Sequence, residues 1–207
     1  MQALYEAIVE GDNQQAQTVT QTALDAGCDP SVLLNEQMIP AMDQVGKLFE
    51  EEEYFVPELL MSARAMETAL ALITPRLVAD GVKAAGRVVI GTVKGDLHDI
   101  GKNLVASMLK GAGFEVVDLG TDVAPERFVE EVKNVPGTMI CLSALLTTTM
   151  PQMRKVVEVL NAEGLRTQTK VMIGGAPITQ VYADEIGADG YSENASGAVI
   201  LARRLAA

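Results

Sequence analysis

The run Arg87-Val88-Val89-Ile90-Gly91-Thr92-Val93 passes into Lys94-Gly95-Asp96-Leu97-His98-Asp99 and then into Ile100-Gly101-Lys102-Asn103-Leu104. Its first part is β-branched and apolar, its middle is polar with a glycine, and its last part opens a helix-favouring segment over about 100–112. The same alternation then repeats. Glu115-Val116-Val117-Asp118-Leu119, Thr138-Met139-Ile140-Cys141-Leu142 and Lys170-Val171-Met172-Ile173 read as strands, and Asp189-Gly190-Tyr191-Ser192 as a weaker fifth. Helices are predicted between and after them over 125–134, 150–163, 178–186 and 195–206. Strand-helix alternation implies a parallel sheet covered on both faces. Five such units predict a flavodoxin-like (Rossmann-like), doubly wound, five-stranded parallel sheet. Ligands of such sheets bind beyond the carboxyl ends of the strands.

Upstream of this stretch the period changes. Leu4, Ile8 and Val9 begin one apolar face, and Val19, Ala23 and Leu24 another. Asp29-Pro30 reads as an N-cap with proline at the first helical position. Val32, Leu33, Met38, Met42, Val45 and Phe49 follow at helical spacing, as do Met66, Leu70 and Ile73 within 59–77. Four such stripes predict a four-helix bundle. Charge divides the chain in the same place. Residues 1–82 hold 14 acids and 3 bases, whereas 83–207 hold 14 acids and 13 bases. The small-residue stretch Ala79–Gly86 reads as a linker, which places a helical cap at 1–82 and an α/β domain at 83–207.

A chain of 207 residues with 48% apolar and 21% charged side chains can bury a core without disulfides. Its net charge of −12 argues against a nucleic-acid binder and against docking on an anionic membrane. No apolar stretch is long enough to span a bilayer. The start MQALYEAIVEGDNQQ lacks a basic, apolar signal pattern, and the two cysteines, Cys28 and Cys141, form no CxxC. A reducing, cytoplasmic setting is the expectation.

The strand ends carry the candidate chemistry. His98, the one histidine of the chain, follows the first strand. A ligating imidazole usually gives its other N–H to a carboxylate, and Asp96 and Asp99 are both near enough in sequence to serve. Gly95 and Gly101 let a backbone approach a bulky ligand closely. Ser143-Ala144-Leu145-Leu146-Thr147-Thr148-Thr149 follows the third strand, and Gly174-Gly175 the fourth. Asn194 could cap the last helix. Small, polar and glycine residues on one edge suggest a slot for a large ligand.

Asp96-x-His98-x-x-Gly101, then 41 residues, Ser143-x-Leu145, then 28 residues, Gly174-Gly175 resembles the cobalamin-binding pattern of methionine synthase, B12-dependent mutases and the corrinoid proteins of methyltransferase systems. The resemblance runs over essentially the whole chain, with 1–80 similar to the helical cap of methionine synthase and the corrinoid methyl carriers. It implies cobalamin or a related cobamide bound base-off, its nucleotide tail in a slot past Gly174 and Gly175, and His98 as the lower cobalt ligand. Asp96 would accept the other His98 N–H, and Ser143 would bond Asp96, so that the three take up or release a proton as the cofactor cycles between Co(I) and methyl-Co(III). Further cofactor contacts fall on Gly95, Asp99, Ile100, Gly101, Leu145, Thr147, Ala195 and Tyr191. For Tyr191, a core or rim position competes with a tail contact. Phe49, Val56 and Leu59 match an apolar lid over the methyl-bearing face, although bundle core also accommodates them. Glu50–Glu53 reads as a solvated helix junction.

The function so implied is a corrinoid methyl carrier. It would serve a substrate-specific methyltransferase and an acceptor methyltransferase using tetrahydrofolate or a thiol coenzyme, with a reductive activation protein. Alone it is not expected to turn over free substrate. The alternatives are the small cobalamin-binding subunit of a radical mutase and a B12-based sensor. An adenosyl group would collide with an apolar lid, and no DNA-binding module is visible for a sensor.

Overall fold

The computed structural model describes residues 2–81 and 84–207. Strands β1 (Arg87–Thr92), β2 (Glu115–Asp118), β3 (Met139–Ser143), β4 (Val171–Gly174) and β5 (Gly190–Ser192) form one sheet in the order β2-β1-β3-β4-β5. Every neighbouring pair is parallel. This is the flavodoxin-like order, and the chain reverses its direction of travel across the sheet between β1 and β3. The pairing of Thr92 with Ser143 brings the carboxyl ends of those two strands level.

Helices α1 (Gln2–Val9), α2 (Asn13–Asp25), α3 (Pro30–Leu33), α4 (Ile39–Glu50) and α5 (Val56–Ala79) precede the sheet. Helices α6 (Ile100–Gly111), α7 (Pro125–Asn134), α8 (Pro151–Ala162), α9 (Gln180–Ile186) and α10 (Ala195–Ala206) alternate with the strands. The described chain forms two compact units, one of Met1–Ala84 with Ser107–Gly113 and the other of Ala85–Ala106 with Phe114–Ala207. The expected boundary between 82 and 83 lies outside the described residues.

In the first unit Leu4, Ile8, Met38, Val45, Met66 and Ile73 are fully buried. Side chains close two helix ends: Tyr54 and Ser62 hydroxyls donate to the Val9 carbonyl, and Arg76 donates to that of Leu24. A π-helical turn, Leu34–Met38, joins α3 to α4 where the sequence reads as one regular helix. Pro40, just inside α4, has no N–H to give and crowds the turn before it, and the wider turn relieves both. Ser107–Gly113 group with this unit although they follow residue 83. Ser107 donates to Glu67 at 3.0 Å, and a Cβ at Gly111 would lie 2.9 Å from the Met42 side chain.

In the second unit Val89, Ile140, Leu142, Val171 and Ile173 of the sheet bury against Phe128 and Val132 of α7 and Val156 and Leu160 of α8. Gly91 is required inside β1, because a Cβ there would meet the Phe128 ring at 2.8 Å. No described helix is long and apolar enough to cross a membrane.

Candidate functional site

The loop after β1 and the end of β3 meet at His98. Its Nδ1 lies 2.7 Å from Asp96 Oδ1, and its Nε2 lies 2.8 Å from Ser143 Oγ. A carboxylate only accepts, so Nδ1 carries the proton. Nε2 is then the acceptor, and the Ser143 hydroxyl donates to it. The Thr92 hydroxyl donates to the His98 carbonyl at 2.7 Å, tying the loop back to β1. The His98 side chain is 14% exposed.

Asp96 is 2% exposed and fully engaged. Its Oδ1 takes the ring N–H and, at 3.3 Å, the backbone N–H of His98. Its Oδ2 accepts from Leu145 N at 2.9 Å, Leu146 N at 3.3 Å and Thr149 Oγ1 at 2.6 Å. Burial by itself would raise the Asp96 pKa. The bonds from Thr149, the His98 ring, and the Leu145 and His98 backbone outweigh it and hold the carboxyl well below the usual range. Asp96 is therefore a fixed anion.

Two details differ from the sequence reading. Ser143 bonds the His98 ring and not Asp96. The β3–α8 turn instead presents two backbone N–H groups and Thr149 to the carboxylate, which leaves Ser143 facing Nε2. Thr149, the third of three consecutive threonines, was not singled out from the sequence. It is buried, whereas Thr147 is exposed. The run of hydroxyls was visible, but not which of them turns inward.

The other predicted residues scatter more widely. Asp99 is exposed, so Asp96 is the histidine's carboxylate partner in this structure. Gly95 adopts φ +80°, and Gly101 faces open space. Gly174 and Gly175 are held close to the protein's own backbone. A Cβ would lie 3.2 Å from the Ser192 carbonyl oxygen at Gly174 and 1.9 Å from that of Ala144 at Gly175, where φ is +129°. Tyr191 packs against the sheet core, and burial raises its hydroxyl pKa. Ala195 is buried at the start of α10, whose N-cap is Asn194. In the first unit Phe49 is half-buried and Val56 exposed, but Leu59 is fully buried and offers no lid surface in this conformation. The exposed apolar residues beside Val56 are Phe55 and Met61.

The donor chemistry limits what this site can hold. Among the described residues no group of three or more His, Cys, Asp or Glu could enclose a metal ion. One oriented imidazole suits a metal that brings its remaining ligands with it, as in a macrocycle. The rim matches such a ligand. Leu97 and Ile100 beside His98 are 74% and 72% exposed, and Leu145 and Leu146 are 47% and 50% exposed. Four large aliphatic side chains left in water on and beside the loops that carry the histidine and its clamp mark a binding surface for a broad, partly apolar ligand.

Comparison with known proteins gives the same picture. A family model described as a B12 binding domain matches residues 86–200, and a second with that description matches residues 1–74. The trimethylamine corrinoid protein of Methanosarcina barkeri is 46% identical over 196 residues, 94% of this chain and 90% of that one. A crystal structure of a cobalamin-binding protein from Desulfitobacterium hafniense DCB-2 superposes with a TM-score of 0.78 at 34% identity, covering 98% of this chain and 97% of that one. The methanol:cobalamin methyltransferase complex MtaBC from Methanosarcina barkeri contains a chain with a TM-score of 0.85 at 32% identity, covering 99% of this chain and 78% of that one.

Proposed function

The chain belongs to the B12-binding protein family, and from that premise we propose that it is a corrinoid methyl carrier. It takes a methyl group from a substrate-specific methyltransferase and presents it to a second methyltransferase whose acceptor is tetrahydrofolate or a thiol coenzyme. A reductive activation protein serves it when the cofactor is oxidised. A relative named for trimethylamine matches its sequence and a chain of a complex named for methanol matches its fold, each over most of its length, which supports a carrier whose donor is chosen by the partner.

The observation that carries this reading is the Asp96–His98 pair, a single imidazole fixed by a buried anion beneath an exposed apolar rim. Cobalt in the bound corrinoid supplies the methyl-transfer chemistry. The residues of the chain do the rest. His98 would offer Nε2 to the cobalt. Asp96 holds the proton on Nδ1 and raises the basicity of Nε2. Leu145, Leu146 and Thr149 keep Asp96 ionised and immobile. Ser143 gives Nε2 a partner whenever it is not ligating, so the imidazole stays in place. Leu97, Ile100, Leu145 and Leu146 shed water against the ligand's apolar surface. Gly95 and Gly101, with Gly174, Gly175, Tyr191 and Ala195 at and just beyond the ends of β4 and β5, line the remainder of the site in this reading.

The test is loading with hydroxocobalamin. Wild type is expected to emerge from gel filtration red, with a base-off, histidine-ligated absorption spectrum that His98→Ala lacks. A folded wild type that emerges colourless, or identical spectra for the two proteins, would overturn the assignment. Efficient methyl transfer from free methylamine or methanol by the isolated holoprotein would overturn the carrier role.

A further inference from the structure

Asp122 lies in the connection between β2 and α7, 24 positions beyond His98 in sequence. Among the described residues it is one of two non-glycines with positive φ, at +54°. Side chains disfavour that conformation, Asp and Asn least. An aspartate just before a helix often caps it, but α7 has Ala124 at its N-cap with no side-chain cap bond. Asp122 is turned elsewhere. Its Oδ1 accepts from Gly95 N at 2.7 Å, and its own N–H donates to the Asp96 carbonyl at 3.0 Å.

One residue thus grips the Gly95-Asp96 segment at both ends, the N–H of Gly95 with its side chain and the carbonyl of Asp96 with its backbone N–H. The left-handed φ lets both bonds form together. The neighbouring bonds make the grip rigid. Thr92 N donates to the Gly120 carbonyl at 2.9 Å, Val123 N donates to the Thr92 carbonyl at 3.0 Å, and Val93 bridges to Val123. Gly95 itself has φ +80°, so the clasped segment sits in a turn that a free loop would not hold in a single form.

We propose that Asp122 is a positioning residue for the lower-ligand histidine. Its clasp sets the backbone of the two-residue segment Gly95-Asp96, that segment aims the Asp96 carboxylate, and the carboxylate aims His98. The proposal rests on His98 being the cobalt ligand. Without the clasp the Gly95 turn samples other conformers, and the imidazole no longer stands ready when the corrinoid arrives.

The experiment uses Asp122→Asn, Asp122→Gly and Asp122→Ala beside wild type, each labelled with 15N-histidine, loaded with hydroxocobalamin and reduced to the Co(II) form. The chain has one histidine, so a doublet nitrogen splitting in the EPR spectrum identifies His98, whereas the cofactor's own base gives the triplet of 14N. Asn keeps an acceptor oxygen and tolerates positive φ, and it is expected to keep the doublet. Gly relieves the backbone but lacks the acceptor, and should lose part of it. Ala lacks both, and should lose most of it with about a tenfold weaker affinity for hydroxocobalamin. If Ala fails to fold by circular dichroism, the Gly variant carries the test. Wild-type doublet and affinity in Gly and Ala would overturn the proposal, as would equal loss in Asn and Ala. Absence of the doublet in wild type would instead show that the reading of His98 is wrong, and the proposal would fall with it.

Discussion

Thr149→Val removes one hydroxyl from the Asp96 clamp and keeps the branched shape. In the folded protein Thr149 is 7% exposed and Asp96 2%, so water cannot take the hydroxyl's place. The lost bond is the shortest of those to the carboxylate, at 2.6 Å, and its acceptor is charged. Bonds of that kind contribute about 1.5–3 kcal/mol net. The remaining partners, Leu145 N, Leu146 N and the two nitrogens of His98, stay in place, which favours the middle of that range. The apoprotein should therefore lose about 2 kcal/mol at neutral pH. For a chain of this size that corresponds to a fall in Tm of roughly 4–8 °C.

The pH dependence follows from the direction of the Asp96 shift. Its folded pKa is depressed, so its contribution to stability is complete above the unfolded carboxyl pKa near 4 and is lost as pH falls towards the folded value. Thr149→Val moves the folded pKa back up. The unfolded state is common to both proteins, so the gap between wild type and variant should be full wherever the carboxylate is ionised in both folded forms and should narrow only as pH falls below the variant's folded pKa towards that of wild type. Urea titrations of the apoprotein followed by circular dichroism measure this, with Thr149→Ser as rescue and exposed Thr148→Val as control. A loss below about 0.5 kcal/mol at neutral pH, the level of an ordinary surface substitution, would refute the clamp.

Two further outcomes are expected. Burial pushes the Cys141 thiol up to about 12, whereas Cys28 is half-buried, so native protein should give one fast thiol with Ellman's reagent and denatured protein two; two fast thiols in the native state would mean that β3 opens readily. Lys102 is 2% exposed and paired with Asp118, which is 35% exposed. Asp118→Ala leaves a buried ammonium with the neutral Asn103 side-chain oxygen, at 2.6 Å, in place of a counter-charge and should cost about 3 kcal/mol, whereas Lys102→Met leaves a carboxylate that water reaches and should cost about 1 kcal/mol by urea titration; equal losses would contradict that asymmetry.

The sheet was legible because its central strands are buried on both faces and read as continuous β-branched runs. Val88–Ile90 and Ile140–Leu142 could be little else between glycines and helical segments. The weaker fifth strand is also the weakest in the structure, three residues paired only to β4. His98 and Asp96 were legible because their spacing is local. Asp122, Thr149 and the true partner of Ser143 were not, since each depends on which way a loop turns after a strand ends. The π-turn before α4 was hidden for a related reason: Pro40 signals a missing donor, but not whether the helix breaks or widens around it.

The glycine pair shows how distant parts of the pattern become one device. From sequence, Gly174-Gly175 clears a groove. In the structure Gly175 also lets the β4 end lie against the Ala144 carbonyl, and Ala144 N donates to the Gly174 carbonyl at 3.2 Å. The next two residues, Leu145 and Leu146, aim their N–H groups at Asp96. Asp96 in turn holds the His98 ring. A side chain at 175 would thus disturb the histidine through the β3 turn even if it never touched a ligand. The wide separations between Asp96, Ser143 and Gly174 in sequence close into one hydrogen-bonded path at the level carboxyl ends of β1, β3 and β4. That path explains why glycines, a serine and an aspartate so far apart in the chain act on the same imidazole.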